Sequence, residues 1–263
     1  MAFALRAELR LEPADERQVV FATRAAKIKV IFRNPSAESH KSTLRYRIFQ
    51  ATSITAMPVG SEQVWKELEV LGGQTVLETV EVTLPAVKVA TPFLARWRDD
   101  AGHVLGHTTI LACPGDQLAR FGTDGVGSAI GVFDRRGKLF PVLSRAGLPC
   151  ERLETLEQLS NFSGRLTIVV MDAEDEMLQR ELREKLARLA AAGRVLLSLR
   201  PPSAREDPGD RTVGVVRLGT GVLVTAGLDD IRGLETSAAA QLQLVRFCEI
   251  AFKPERLISA TVP

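Results

Sequence analysis

A strand–helix–strand unit between Leu166 and Leu199 constrains the fold more than any other stretch of this sequence. Residues 166–171 are almost all apolar, as in a parallel strand that is covered on both faces. The helix that follows carries leucines spaced along one face, namely Leu178, Leu182, Leu186 and Leu189. Gly193 supplies the residue type that helix ends prefer, and a second apolar strand follows over residues 195–199. The second half of the chain is therefore expected to contain an α/β domain.

The first hundred residues show a period of two instead. Apolar and charged residues alternate from Phe3 to Leu11, and six similar runs follow before residue 113. Turn signals such as Asn34-Pro35-Ser36 and Gly72-Gly73 separate these runs. About seven short strands without a helix predict an all-β sandwich of the immunoglobulin or fibronectin type III kind.

These two patterns divide the 263 residues into two predicted domains. The immunoglobulin-like sandwich is assigned to residues 1–113, and a glycine-rich linker to residues 114–127. Residues 128–263 are expected to form an open, mostly parallel, flavodoxin-like three-layer sheet. A predicted hairpin within residues 212–226 adds an antiparallel edge to that sheet.

The bulk composition narrows the class of protein. A formal charge of +2 implies no general attraction to nucleic acid, so no specific nucleic-acid partner is expected. Three widely spaced cysteines predict reduced thiols, and no apolar run approaches the ~20 residues of a membrane span. The charged, alternating N-terminus is unlike a signal peptide, which predicts a cytoplasmic location, or an extracytoplasmic one if the chain is a piece of a longer exported protein.

Part of the second half resembles the class I glutamine amidotransferase-like superfamily. The matching stretches are residues 193–197, Gly219-Thr220-Gly221 with residues 222–224, Gly227-Leu228-Asp229, and the helix over residues 238–252. Within that group the chain is similar to non-catalytic members attached to β-sandwich modules in bacterial carbohydrate-active and surface proteins. The resemblance implies a flavodoxin-like fold over about 130 residues.

The chain differs from this family at the positions of the family's catalytic residues. Catalytic members carry a cysteine within Gly-x-Cys-x-Gly after the central strand, whereas this chain reads Met171-Asp172-Ala173-Glu174 there. Its three histidines, His40, His103 and His107, all lie in the first half. Since a cysteine or serine nucleophile needs a base within reach, no catalytic residues are predicted. The chain also lacks a dinucleotide fingerprint and a P-loop, so neither a cofactor nor a metal is expected.

Polar residues after the predicted strands form one group of candidate ligand-binding residues. Its members are Asp134, Arg135, Asp172, Arg200, Asp229 and Asp230. Such residues could hold magnesium or a sugar at the carboxyl ends of the strands. The favoured interpretation is that the aspartates are helix caps and turn residues.

Basic residues two apart on three predicted strands form the second group. The pairs are Lys27 with Lys29, Arg45 with Arg47, and Arg96 with Arg98. If these strands are neighbours, the pairs form a basic patch for phosphate, sulfate or uronate groups. The favoured interpretation is a solvated face balanced by acidic residues, namely Glu67, Glu69, Glu78 and Glu81.

The sequence thus predicts a non-catalytic binding or assembly protein that works alongside bacterial carbohydrate-processing or surface machinery. Its expected partner is another protein or a carbohydrate. One alternative is a carboxylate-dependent hydrolase that uses the aspartates at the strand ends. Another alternative is a polyanion-binding module that uses the basic strand pairs.

Overall fold

The computed structural model describes residues 9–12, 18–52, 54–115, 117–122, 130–171, 176–200, 213–228 and 231–257. The chain divides into two compact units, Met1–Gly115 and Asp116–Pro263. No helix among the described residues is long and apolar enough to cross a membrane.

The first unit consists of β-strands. Its strands are β1 (Arg10–Glu12), β2 (Gln18–Phe21), β3 (Ala25–Arg33), β4 (His40–Ala51), β5 (Ala56–Val70), β6 (Thr75–Thr83), β7 (Thr91–Arg98) and β8 (Val104–Cys113). One sheet has the order β1-β3-β6 and is antiparallel throughout. The other has the order β2-β8-β7-β4-β5 and is mixed, because β2 pairs with β8 in parallel. Two register shifts, at Leu44/Arg45 and Tyr46/Ile48, interrupt the pairing of β4 with the edge strand β5.

An aromatic cluster packs the two sheets of the first unit together. Trp97 on β7 is fully buried, and its ring centroid lies 5.6 Å from that of Phe32 on β3. Tyr46 and Trp65 approach the same indole at 5.1 and 5.4 Å. The apolar residues of each alternating strand point toward this cluster, so the charged residues between them face outward.

The second unit is built around one six-stranded sheet. Its strands are β9 (Ile130–Phe133), β10 (Cys150–Leu153), β11 (Leu166–Val170), β12 (Val195–Arg200), β13 (Gly214–Leu218) and β14 (Gly221–Gly227). Its helices are α1 (Gln117–Phe121), α2 (Leu139–Arg145), α3 (Leu156–Asn161), α4 (Glu176–Ala191) and α5 (Ala238–Phe252), with 3-10 turns at Arg232–Glu235 and Pro254–Leu257. The strand order is β10-β9-β11-β12-β14-β13. The β13–β14 pair is antiparallel, and the other pairs are parallel.

The strand–helix–strand prediction is confirmed by β11, α4 and β12. Leu182 and Leu186 on α4 are buried, as the leucine stripe predicts. Gly193 has a φ of +92°, which suits the left-handed residue that ends the helix. Part of the predicted linker is helical instead, since α1 lies within it. The Gln117 side chain ties α1 to α5 by donating to the carbonyl of Ala238 at 3.1 Å.

The predicted fold class is wrong. The structure does not show a separate immunoglobulin-like sandwich followed by a flavodoxin-like parallel domain. The described residues form three sheets, one antiparallel and two mixed. The physical reason is that alternation and apolar runs reveal which face of a strand is buried, but not which strand pairs with it or in which direction. The parallel pairing of β2 with β8 in particular leaves no local trace in the sequence.

Candidate functional site

Four arginines meet on the outer face of the five-stranded sheet. Strands β4 and β7 are antiparallel neighbours, and their register places Arg45 opposite Arg98 and Arg47 opposite Arg96. We call these four residues the arginine face. Arg45 is exposed, and the other three are partly buried.

Strand alternation fixes the direction of these side chains. On β4 the buried residues Leu44 and Tyr46 flank Arg45, and on β7 the buried residues Ala95 and Trp97 flank Arg96. Because side chains alternate across a strand, burial of one set places the arginines on the opposite surface. The same packing that forms the core therefore collects four positive charges on one surface.

The two lysines of the predicted patch lie elsewhere. Lys27 and Lys29 belong to β3, in the three-stranded sheet. There Lys27 lies opposite Glu81 and Lys29 opposite Thr79. The three basic pairs therefore do not form one patch: four arginines come together and the two lysines do not join them.

Of the four acidic residues proposed to balance the basic pairs, Glu81 lies opposite Lys27, and the other three have other neighbours. Glu67 pairs with Lys41 at 2.9 Å, Glu78 pairs with Lys66 at 2.7 Å, and Glu69 accepts a hydrogen bond from Ser39. Among the described residues, the carboxylate that pairs with the arginine face is Glu62, whose Oε1 lies 3.9 Å from Nη1 of Arg98. The arginine face therefore keeps a strong excess of positive charge.

Two of the four arginine side chains, those of Arg47 and Arg96, lie over the ring of Phe49. The guanidinium carbon of Arg96 lies 4.6 Å from the centre of the Phe49 ring, and that of Arg47 lies 5.9 Å away. The Nε atoms of Arg47, Arg96 and Arg98 are buried and have no hydrogen-bond partner within the part of the chain that the structure describes. A ligand can therefore reach these guanidinium groups only through their terminal nitrogens.

The surroundings of the arginine face change along the strands. Three rows run across the sheet: Val64, Arg45, Arg98 and Val104; then Arg47, Arg96 and His107; then Pro58, Phe49, Leu94 and Thr109. Val64 and Val104 are 61% and 54% exposed. The first two rows are cationic, whereas the third is centred on an apolar pair.

The structure describes only part of the other candidate group, namely Asp134, Arg135 and Arg200. Asp134 is only 4% exposed. Its carboxylate accepts the backbone N–H of Arg136 at 3.1 Å and that of Leu139 at the start of α2. Arg135 and Arg200 are exposed, in the following turn and at the end of β12. Asp172, Asp229 and Asp230 lie outside the described residues.

The three cysteines are buried to different degrees. Cys113 and Cys248 are buried, and Cys150 is partly buried. Burial raises the pKa of the Cys248 thiol far above its usual range, and raises the pKa of Cys150 as well. Since the thiolate is the nucleophile, the thiols of Cys150 and Cys248 are weakly reactive at neutral pH. No group of three histidine, cysteine or carboxylate side chains in the described ranges is arranged to hold a metal ion.

Two residues of the site were missed from the sequence. Phe49 lies two positions beyond Arg47 on β4, so strand alternation places it on the same surface. His107 lies opposite Arg96 on β8, whereas the sequence analysis did not include it in the basic patch. The signal for Phe49 was present in its spacing, but the signal for His107 required the strand order.

Comparisons with known proteins identify no relative by sequence. No family model matches the chain, and no curated protein matches it. Among solved structures, the alkylpurine DNA glycosylase AlkC of Pseudomonas fluorescens bound to DNA has 12% identity and a TM-score of 0.31, covering 40% of this chain and 30% of that one. A β-glucosidase from Listeria innocua has 14% identity and a TM-score of 0.29, covering 40% and 16%. The sporulation control protein Spo0M of Bacillus subtilis has 7% identity and a TM-score of 0.31, covering 44% and 54%. The chain thus spans about half or less of each, none of the three is an amidotransferase, and none assigns this chain a fold or a function.

Proposed function

We propose that this protein is a non-catalytic binding protein that holds an anionic partner on the arginine face. The observation that carries the proposal is the register of β4 and β7, which sets Arg45 opposite Arg98 and Arg47 opposite Arg96. The bound groups are carboxylate, sulfate or phosphate, since arginine forms paired hydrogen bonds with each of them. The partner is an acidic protein or an acidic polysaccharide.

The energetics of the unbound face support this proposal. Like charges directly opposite each other on neighbouring strands destabilise a sheet. Buried donors without a partner add a further cost in stability, and three arginine Nε atoms are in that position among the described residues. An anion on the terminal nitrogens would offset the charge repulsion, so binding would relieve part of this cost.

The non-catalytic part of the proposal rests on how the reactive groups are used. The carboxylate of Asp134 holds the turn into α2 through two backbone N–H groups. The raised pKa of Cys248 keeps its thiol protonated. These groups serve the fold rather than a reaction.

Binding to heparin tests the proposed function. The wild-type protein should be retained on a heparin column at about 50 mM salt and should elute as salt rises, because bound counterions are released. The double variant Arg47→Gln/Arg96→Gln should lose most of this retention. The matched control, Lys27→Gln/Lys29→Gln, also removes two positive charges, but from the three-stranded sheet. It should elute near the wild type.

Two outcomes would overturn the proposed function. One is a wild-type protein that heparin does not retain at low salt. The other is an equal loss of retention in both double variants, which would show that net charge acts rather than the arginine face. Circular dichroism of each variant confirms that the fold is kept.

A further inference from the structure

The three rows of side chains across β4 and β7 lie at a regular distance from one another. Arg45, Arg47 and Phe49 follow one another at every second position of β4, with Arg98, Arg96 and Leu94 beside them on β7. A strand rises 3.2–3.4 Å per residue, so successive rows lie about 6.7 Å apart. Any fully extended peptide presents its own alternate side chains at this same interval.

The order of the rows determines which kind of side chain a ligand must present over each row. The first two rows are cationic, and the third presents Phe49 and Leu94, both partly buried. A uniformly charged polymer would place an anion over this apolar pair and gain little there. A peptide can place two acidic side chains over the arginines and an apolar one over the third row.

We infer that the partner is an extended acidic segment of another protein, with the pattern acidic-x-acidic-x-apolar, which lies along β4 and β7. This inference rests on the proposed binding function and names its ligand. Each carboxylate sits between two guanidinium groups, which are matched to it by their planar pair of donors. The apolar side chain packs on Phe49 and Leu94.

The arginine face does not specify the chain direction of the bound segment. β4 and β7 run antiparallel, and the contacts are made by side chains rather than by the backbone. A reversed peptide that keeps the spacing can turn around and place the same groups over the same rows. We therefore expect specificity for spacing without specificity for chain direction.

Three synthetic peptides with identical composition test this inference. The first is Thr-Glu-Thr-Glu-Thr-Leu-Thr with a fluorescent label, in which threonine favours extended backbone. The second is its reverse, and the third is Thr-Glu-Glu-Thr-Leu-Thr-Thr, in which the adjacent glutamates point to opposite sides. Fluorescence anisotropy at about 50 mM salt should show the first two binding alike and the third about tenfold more weakly, a difference of ~1.4 kcal/mol.

Variants connect each part of the peptide to its row. Arg47→Gln/Arg96→Gln should remove the advantage of the alternating peptide, while Lys27→Gln/Lys29→Gln should preserve it. Leu94→Ala should remove the benefit of leucine over threonine at the sixth residue of the first peptide and leave the benefit of the glutamates. Because Leu94 is only partly buried, this change leaves the core intact.

The outcomes separate this inference from the proposed function. If heparin binds but the three peptides bind equally, the ligand is a polyanion without this pattern and the inference is wrong. If light scattering shows a dimer that Arg47→Gln/Arg96→Gln disperses and no peptide binds, the occupant is a second copy and the inference is again wrong. If neither heparin nor any peptide binds, the proposed function itself fails.

Discussion

The two sheets of the first unit both carry basic residues on their outer faces, but they arrange them in different ways. On the three-stranded sheet, Lys27 lies opposite Glu81. Even where Arg10 lies opposite Arg33, Glu12 forms an ion pair with Arg33 at 3.2 Å. On the five-stranded sheet, each arginine of β4 lies opposite an arginine of β7.

This difference shows that register, rather than the number of charges, decides whether a basic residue lies opposite an acid or opposite another base. A lysine with an acid across the strand gains a modest stabilisation of about 0.2–1 kcal/mol. An arginine opposite another arginine loses stability in the free protein. The second arrangement is therefore the one that an anionic ligand would favour.

The largest expected effect removes the core on which both faces depend. Trp97→Ala should lower the free energy of unfolding by about 3–5 kcal/mol, because the indole is fully buried in the cluster that joins the sheets. Urea denaturation measures the change. Leu77→Ala, at a side chain that is 63% exposed, is the control and should change stability by less than about 0.5 kcal/mol. A loss below about 1 kcal/mol for the tryptophan variant would contradict the shared core.

A smaller effect comes from placing an acid directly opposite an arginine of the arginine face, as Glu81 lies opposite Lys27 on the other sheet. Val64 lies opposite Arg45 and is well exposed, so Val64→Glu places a carboxylate beside the arginines. Heparin affinity should fall several-fold to about tenfold, or up to ~1.4 kcal/mol. Val64→Gln is the matched neutral control and should bind like the wild type. Equal affinity of both variants would show that the arginine face does not hold the anion.

Stability should change in opposite directions on the two faces. Arg45→Thr relieves the repulsion with Arg98 and should raise the free energy of unfolding by about 0.2–1 kcal/mol. Lys27→Thr removes the attraction to Glu81 and should lower it by a similar amount. Both changes introduce the same β-favouring residue on a strand, so urea denaturation compares them directly. The same sign for both would refute the contrast between the faces.

The smallest expected effect is the dependence on salt of the stability gained by Arg45→Thr. Raising the salt from about 0.01 M to about 1 M shortens the Debye length from ~30 Å to ~3 Å. The stability gain of Arg45→Thr should therefore shrink by a few tenths of a kcal/mol if it arises from charge. If the stability gain does not change with salt, it arises from the strand propensity of threonine instead of from charge.

Local features could be predicted from the sequence, whereas pairings could not. The leucine stripe and Gly193 are sufficient to predict α4, because both act within a few residues of one another. Alternation likewise predicts that Arg45 and Arg47 share a surface. The fold class was wrong because strand order and direction depend on contacts between distant residues, as in the pairing of β2 with β8.

The candidate site follows the same rule. The arginines were identified from their spacing, but only the strand order separates them from Lys27 and Lys29. Asp134 was placed at a strand end from the sequence, and its use as a backbone acceptor agrees with the favoured interpretation of that residue as a turn residue. Phe49 could have been added to the site by extending the alternation of β4 by one step.

The two register shifts between β4 and β5 have a consequence for how this sheet meets other molecules. Bulges of this kind increase local twist, and a twisted edge is a poor template for adding a further strand. Pro58, in the edge strand β5, has no N–H to offer an incoming backbone. Edge-to-edge growth of the sheet into a fibril is thereby discouraged at β5, so that an incoming chain finds no regular backbone template at this edge.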